Sequence, residues 1–347
     1  SEVSQGYNVI QADNQKLLLK CVDFPFQLYK KSDYWIPPMR KAELNAMLPE
    51  KNPSLLDSDF SYWLVLKGET VVGRVAGYIN WRDNKLRKRN ASRFGSIDFV
   101  DDPLVCKLLL GQVEDWSSNL GISQIDGPLG PGHFDRNCVL VEGFNELPTV
   151  ISSYNFPYYP SHIEDCGYTK EVDYLEHRIK ISGDPDSRIE KISSYVLKKK
   201  NLFLWSAKSK KELIQRGKEF FQLINEAYAG LHDFVPLTDA EIDYLISHFF
   251  SFIDKKFVKI VVDGNDNMVG AGIAMESYSK AMKACKGKLF PFGWLKVLIS
   301  MRKNDVLDLC LVAVSSEYRN QGLNSIIMHE MHKTSINTGL KWAETNG

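Results

Sequence analysis

Apolar and polar positions alternate in an order that occurs twice along the chain. In the first half, Tyr62–Leu66 and Val71–Ile79 flank a turn at Lys67-Gly-Glu69, which predicts a β-hairpin. A strand at Phe94–Val100 follows. Asp101-Asp102-Pro103 then gives an N-cap and first-turn proline, with Leu104, Leu108, Val113 and Trp116 at helical spacing up to Gly121. Ile122–Ile125 reads as the next strand. In the second half, capping boxes at Ser209–Glu212 and Thr238–Glu241 open helices. Phe257–Val262 and Val269–Met275 form a second hairpin, the apolar run Val306–Val314 a strand, and Leu323 to His332 a helix ending near Gly339, before a strand at Leu340–Ala343. Both hairpins carry a Val-Gly step, Val72-Gly73 and Val269-Gly270. This ordered recurrence predicts an internal duplication, with domains at 1–182 and 183–347. Other expected pieces are a short helix at Phe24–Lys31, an extended path at Trp35-Ile-Pro-Pro38 and a basic loop at Lys85–Arg89.

The halves differ at two places. Only the second has Arg319-Asn320-Gln321-Gly322-Leu323-Asn324 between its buried strand and helix; the first has Asp101-Asp102-Pro103 there, which would repel an anion. Backbone N–H groups at a helix start, beside an arginine and a glycine, suit a pyrophosphate. Only the second half has the Ser279–Asp305 insertion, whose lysines surround Leu289–Leu295 and Val297–Ile299.

Bulk properties narrow the field. At 347 residues, two domains are the natural expectation. Lys+Arg and Asp+Glu both total 43, so no global field favours nucleic acid. The six cysteines lack CxxC spacing and read as free thiols of a reducing compartment. No apolar run is long enough to span a bilayer, and no signal peptide is recognisable, so a cytoplasmic protein is expected. Nucleophile-elbow, zinc-protease and Walker motifs are absent.

The element order, with Arg319-Asn-Gln-Gly322-Leu-Asn324 on the turn, resembles the GNAT superfamily of CoA-dependent N-acyltransferases, whose phosphate motif reads Gln/Arg-x-x-Gly-x-Gly/Ala. Asn324 departs from its last position; Asn tolerates left-handed backbone. The whole chain is similar to a bacterial tandem-GNAT-like family through Trp35-Ile-Pro-Pro38, Val72-Gly-Arg74, Glu142-Gly-Phe144, Pro157-Tyr-Tyr-Pro160 and Lys288-Leu-Phe-Pro291, among others. Bacterial ceramide-forming N-acyltransferases look related. The resemblance implies an α/β (α+β) protein of two domains, each a mixed, mostly antiparallel sheet flanked by helices. It also implies a further helix and strands after Ala343, so the second domain is expected to be truncated, or the first to supply the missing function.

The resemblance further implies an acyl-CoA, acetyl-CoA or acyl-carrier-protein thioester held by the strand end Val312-Ala313-Val314 and by Arg319–Asn324, with no metal. Amide formation needs a base, an oxyanion donor and an acid. Candidate bases are Asp308, the one carboxylate inside the apolar strand, and Glu276 at the hairpin's end; the bland readings are a strand-edge residue and a solvated hairpin end. In the first half, the Gly/Pro-rich stretch Gly127–Asn137 brings His133 and Asp135 near Glu142, Tyr154, Asn155, Tyr158 and Tyr159. His133 and Tyr158 are candidate acid–base groups, and the others candidate contacts to an acceptor over which this half closes; a rigid connector is the bland alternative. His329 and His332 share a helix face without a third metal ligand and read as surface or packing residues. The 279–305 insertion suits a peripheral contact with the inner membrane face, a lining for a long acyl chain, or a core-packed helix with a solvated basic face. The expected activity is N-acyl transfer to a small-molecule or lipid-like amine, with a ceramide-forming enzyme as its narrower form. A non-catalytic acyl-CoA or lipid-binding protein is the competing class, and oligomeric state is undetermined.

Overall fold

The computed structural model describes residues 6–181, 183–231, 234–250 and 252–346. The chain divides into two compact units: residues 1–173 with 279–299, and residues 174–278 with 300–347. The insertion expected inside the C-terminal domain is therefore grouped, up to Ile299, with the N-terminal unit. Among the described residues no helix is long and apolar enough to cross a membrane.

Unit 1 is built on a five-stranded sheet in sequence order, β1 (Tyr7–Gln11), β2 (Ser58–Lys67), β3 (Thr70–Asn80), β4 (Ala91–Phe99) and β5 (Gln124–Asp126). All neighbours are antiparallel except β4–β5. Its helices are α1 (Gln15–Leu28), α2 (Arg40–Ala46), α3 (Trp81–Arg87), α4 (Pro103–Asn119) and α5 (Tyr159–Asp165). α4 buries Val105, Leu109 and Val113 against Val65, Val75 and Phe99, whereas α1 packs Leu18 and Cys21 on Leu64, Ala76 and Tyr78. Alternate residues of one strand thus feed two cores.

Two sequence expectations change here. The helix expected at Phe24–Lys31 begins nine residues earlier, capped by Asn14, and carries Pro25 inside it. The expected basic loop is largely α3, whose Asp83 is 1% exposed and holds Arg87, Arg89 and Arg93 at 2.5–2.8 Å. These arginines are internal ties.

Unit 2 has a six-stranded sheet ordered β6-β11-β10-β9-β8-β7, with β6 (Arg178–Lys180), β7 (Phe203–Trp205), β8 (Val258–Val262), β9 (Met268–Glu276), β10 (Val306–Val314) and β11 (Trp342–Thr345). Only β10–β11 is parallel. Its helices are α6 (Ser187–Lys199), α7 (Lys210–Gln215), α8 (Gly217–Tyr228), α9 (Asp239–Phe249) and α12 (Leu323–Asn337). α10 (Ser279–Cys285) and most of α11 (Gly293–Arg302) group with unit 1. The helix expected to open at Ser209 is broken at Arg216 into α7 and α8, and the capping box at Thr238 is present.

Hairpin, antiparallel strand, helix and parallel strand therefore recur, as β2-β3-β4-α4-β5 and β8-β9-β10-α12-β11. The shared Val-Gly step has one purpose in both. A Cβ on Gly73 would lie 2.7 Å from Val105 of α4, and one on Gly270 of β9 would lie 3.2 Å from Ile327 of α12. Bare strand backbone lets each helix sit close, and that approach places each helix N-terminus at its strand end. Gly95 of β4 is tighter still, since a Cβ there would meet the Leu129 carbonyl at 2.3 Å. Gly95→Ala should cost about 1–3 kcal/mol, the usual range for overpacking, read as a lower urea midpoint at unchanged slope.

Candidate functional site

In unit 2 the site grows from β10. Its register with β9 slips between Leu309 and Leu311, so Cys310 is the extra residue of a bulge. Pairing with β11 ends at Leu309–Thr345. β10 continues to Val314 paired with β9. The Ser315 N–H donates to Val269 O at 2.9 Å, which fixes the phase of the β9–β10 ladder. Alternation then turns the N–H and C=O groups of Val312 and Val314 away from β9. The Val312 carbonyl accepts from the Tyr228 hydroxyl at 3.1 Å, as that orientation requires.

The turn after β10 is a 3-10 turn at Ser316–Tyr318, then extended Arg319, then Asn320 and Gly322 in left-handed conformations, φ 60° and 86°. Gly322 is the N-cap of α12. Asn324 lies inside the helix, so the left-handed asparagine of this loop is Asn320. Among the described residues, no acceptor is present for the backbone N–H groups of Asn320 through Ser325. Consecutive N–H groups without an acceptor, at the positive end of a 15-residue helix, suit an anion.

The loop is tethered to the end of α8. The Glu226 carboxylate accepts from the Ser316 N–H at 2.7 Å and from both serine hydroxyls, and the Arg319 guanidinium donates to Ala227 O at 2.6 Å. The Ser316 hydroxyl and N–H together hold the Glu226 pKa below the usual carboxylate range. Arg319 therefore shapes the loop as well as charging it. Sequence reading missed Glu226 and Tyr228, since nothing local distinguishes a helix end that touches a loop some ninety residues on.

Asp308 lies on β10 opposite Glu344 of β11. Leu307 enters the core with Met331, so Asp308 faces the other side of the sheet. It is 2% exposed and neither carboxyl oxygen has a hydrogen-bond partner. Burial, reinforced by Glu344 and Glu176 and only partly opposed by Ser277, pushes its pKa up to about 7. The strand-edge reading of Asp308 is thereby corrected. Glu276 instead pairs with the Lys256 ammonium at 3.2 Å.

The first-half candidates all lie in unit 1. Tyr159 and Tyr154 line a cavity of about 350 Å³ with Tyr29, Trp35 and Asp135. At its base Asp98 accepts from Tyr29 (2.8 Å) and Tyr159 (3.2 Å) and is clamped by Arg74 (2.7–2.8 Å). Burial, with Asp98 beside them, drives both tyrosines well above the ordinary phenol range. Arg74 also donates to Cys21 O at 2.9 Å. That carbonyl is free because Pro25, four residues on, has no N–H. The Asp135 carboxylate accepts from Gly132 N at 2.6 Å and braces the glycine-rich loop.

Other members of this group are ties. Tyr158 donates to Phe99 O at 2.6 Å. Asn155 bonds both the N–H and the C=O of Leu140. His133 is half-buried against Phe134, and Glu142 is exposed. The α4 N-terminus is closed by its own carboxylate: Asp102 accepts from Leu104 N and from Tyr7. The α12 N-terminus in unit 2 thus has no side-chain cap, and its counterpart in unit 1 is self-capped.

One described group has metal-ligand spacing: Glu190, His329 and Glu330. His329 meets Glu190 at 2.7 Å, and the Lys333 ammonium binds both glutamates. A resident side-chain cation fills that group. All six cysteines are free thiols.

No family model matches the chain. It is 27% identical over 319 residues to Protein YghO of Escherichia coli K12, covering 90% of this chain and 80% of that one. It is 25% identical over 338 residues to the bacterial ceramide synthase of Caulobacter vibrioides, covering 94% and 85%. Among solved structures, a tandem GNAT protein from the clavulanic acid biosynthesis pathway matches with a TM-score of 0.51 and 10% identity, covering 98% of this chain and 89% of that one. Taken with the repeated strand–helix order and the N–H-lined turn after β10, these likenesses make the chain a tandem GNAT-fold protein.

Proposed function

We propose that the protein is an N-acyltransferase that moves an acyl group from a CoA-type thioester to an amine. The observation that carries this reading is the convergence at one strand end of unit 2. Among the described residues the N–H groups of residues 320–325 have no acceptor, the Val312 and Val314 N–H groups lie on the side of β10 away from β9, and Asp308 is buried on the same strand with its pKa near neutrality. The turn takes the pyrophosphate, and that side of β10 pairs with the amides of the carrier arm. A β10 N–H faces the thioester oxygen as negative charge develops there. Asp308 accepts the ammonium proton; a carboxylate with pKa near 7 is a stronger base than an ordinary one and is still about half ionised at neutral pH. The amine nitrogen then forms the new C–N bond, the C–S bond breaks, and the proton lost from that nitrogen goes to the sulfur, so the carrier leaves as a thiol.

The acceptor is proposed to be a lipid-like amine. Similarity to a ceramide synthase along nearly the whole chain supports that class, and makes a sphingoid-type base the first amine to try.

Donor binding tests the turn. Gly322→Val places a β-branched residue at φ 86°, and Arg319→Glu removes the bond to Ala227 and sets a negative charge beside the phosphates. Each should weaken CoA binding at least tenfold by calorimetric titration. Undiminished binding in both variants would place the phosphate site elsewhere.

A further inference from the structure

The segment between the hairpin and β10 carries one sign of charge. From Ser277 to Asn304 the chain has seven lysines and arginines and no Asp or Glu, in a protein whose total charge is zero. Its first part is anchored to unit 1. Ala281 and Cys285 are buried, Ser279 donates to Pro148 O at 2.7 Å, and the Lys283 ammonium donates to the carbonyls of Ser32 and Asp33. Left-handed Lys286 and Gly287 end α10, with Gly287 against the Pro38 carbonyl.

Beyond that anchor the apolar side chains are turned outward. Phe290 is 83% exposed and Phe292 69%; Trp294, Leu295, Leu298 and Ile299 are also exposed. Leu295, Leu298 and Ile299 share one face of α11, which contributes no buried residue. The core-packed reading of this helix does not hold. Lys286, Lys288 and Lys296 are exposed around these groups. The Trp294 indole N–H already donates to Pro291 O at 3.0 Å, so the ring can enter an apolar medium without stranding a donor.

We infer that this segment is a binding site for an anionic lipid bilayer, with Phe290, Phe292 and the Leu295–Ile299 face entering the acyl boundary and the lysines meeting headgroup phosphates. Charge complementarity selects this occupant. An all-cationic rim around exposed aromatics repels a second copy of itself, whereas a bilayer supplies both the negative plane and the apolar layer beneath it. No acyl donor is involved, so the inference stands apart from the transfer reaction.

Sedimentation of the full chain with vesicles tests it. Binding is expected to phosphatidylcholine vesicles containing half phosphatidylglycerol, to weaken with salt, and to be much weaker to phosphatidylcholine alone. Replacing Lys286, Lys288 and Lys296 together by Ser should weaken partitioning about a hundredfold, from the usual contribution of a basic residue near such a surface. Phe290→Ser with Phe292→Ser should lose at least tenfold at unchanged charge. All five positions are exposed, and unchanged hydrogen exchange of α10 shows that the anchor persists. Absent binding to the anionic vesicles, or equal binding by the lysine variant, overturns the inference. So does a concentration-dependent dimer erased by the Phe290/Phe292 variant, which assigns the face to self-association.

Discussion

Replacing Asp308 by Asn is expected to slow acyl transfer by about 10²–10⁴-fold, the range for loss of a positioned general base, while making the folded protein more stable at pH 8. The two effects have one cause. Asp308 is buried, and its folded pKa of about 7 lies above the ordinary aspartate value of 3.8. Below the lower value both folded and unfolded chains hold the proton, and the carboxyl makes no difference to stability. Between the two values the unfolded chain releases a proton that the folded chain retains, so stability falls as pH rises. Above about 7 the full penalty is present, on the order of 4 kcal/mol for a shift of this size. Asn cannot ionise and avoids it, although its unpartnered amide returns part of the gain. The wild-type rate should rise with pH through about 7, and the residual rate of the variant should not. Melting temperatures at pH 4 and pH 8, set beside kcat/KM profiles, read both effects. A variant that is no more stable and fully active at pH 8 removes Asp308 from the site.

The second large effect is structural and belongs to unit 1. Asp98→Ala should destabilise that unit by about 3–5 kcal/mol, the cost of stranding one member of a buried ion pair. Arg74 and Asp98 side chains are 13% and 11% exposed, and Asp98 also accepts from Tyr29 and Tyr159. Burial alone lowers the Arg74 pKa, and Asp98, with Glu43 adding to it, more than offsets that and holds it above the ordinary value. Removing the carboxylate leaves a desolvated guanidinium and two phenols without their shared acceptor. Arg74→Met with Asp98→Leu should recover most of the loss, because apolar groups of similar volume replace both charges. Hydrogen exchange of peptides from β3 and β4 reads the change locally. A loss below about 1 kcal/mol for Asp98→Ala would mean that the network adds nothing beyond an exposed pair.

Legibility from sequence followed the range of the interactions. The hairpins, β10, the proline-started helix α4 and the capping box at Thr238 were readable because each rests on residues a few positions apart. The three- to five-residue strands β1, β6 and β7 were not, since they carry no alternation long enough to register. Pro25 hid α1: proline normally interrupts a helix, and here Arg74 satisfies the carbonyl that proline leaves unpaired. Asp308 stood out as a charge in an apolar run. Its orientation did not, because such a run gives no sign of which residues face which side. Arg74, Asp98, Tyr29 and Tyr159 converge from four separate segments, and no local pattern announces such a meeting.

The central claim is that the unit 2 strand end binds a thioester and passes its acyl group to an amine. Its most direct measurement is thiol release from acyl-CoAs of graded chain length, with and without a sphingoid-type base, and mass analysis of the amine. Release that depends on the amine and on Asp308, with the N-acylated product, is the expected result. Bound donor with no thiol released, or release indifferent to the amine, would contradict it and leave an acyl-CoA-binding protein.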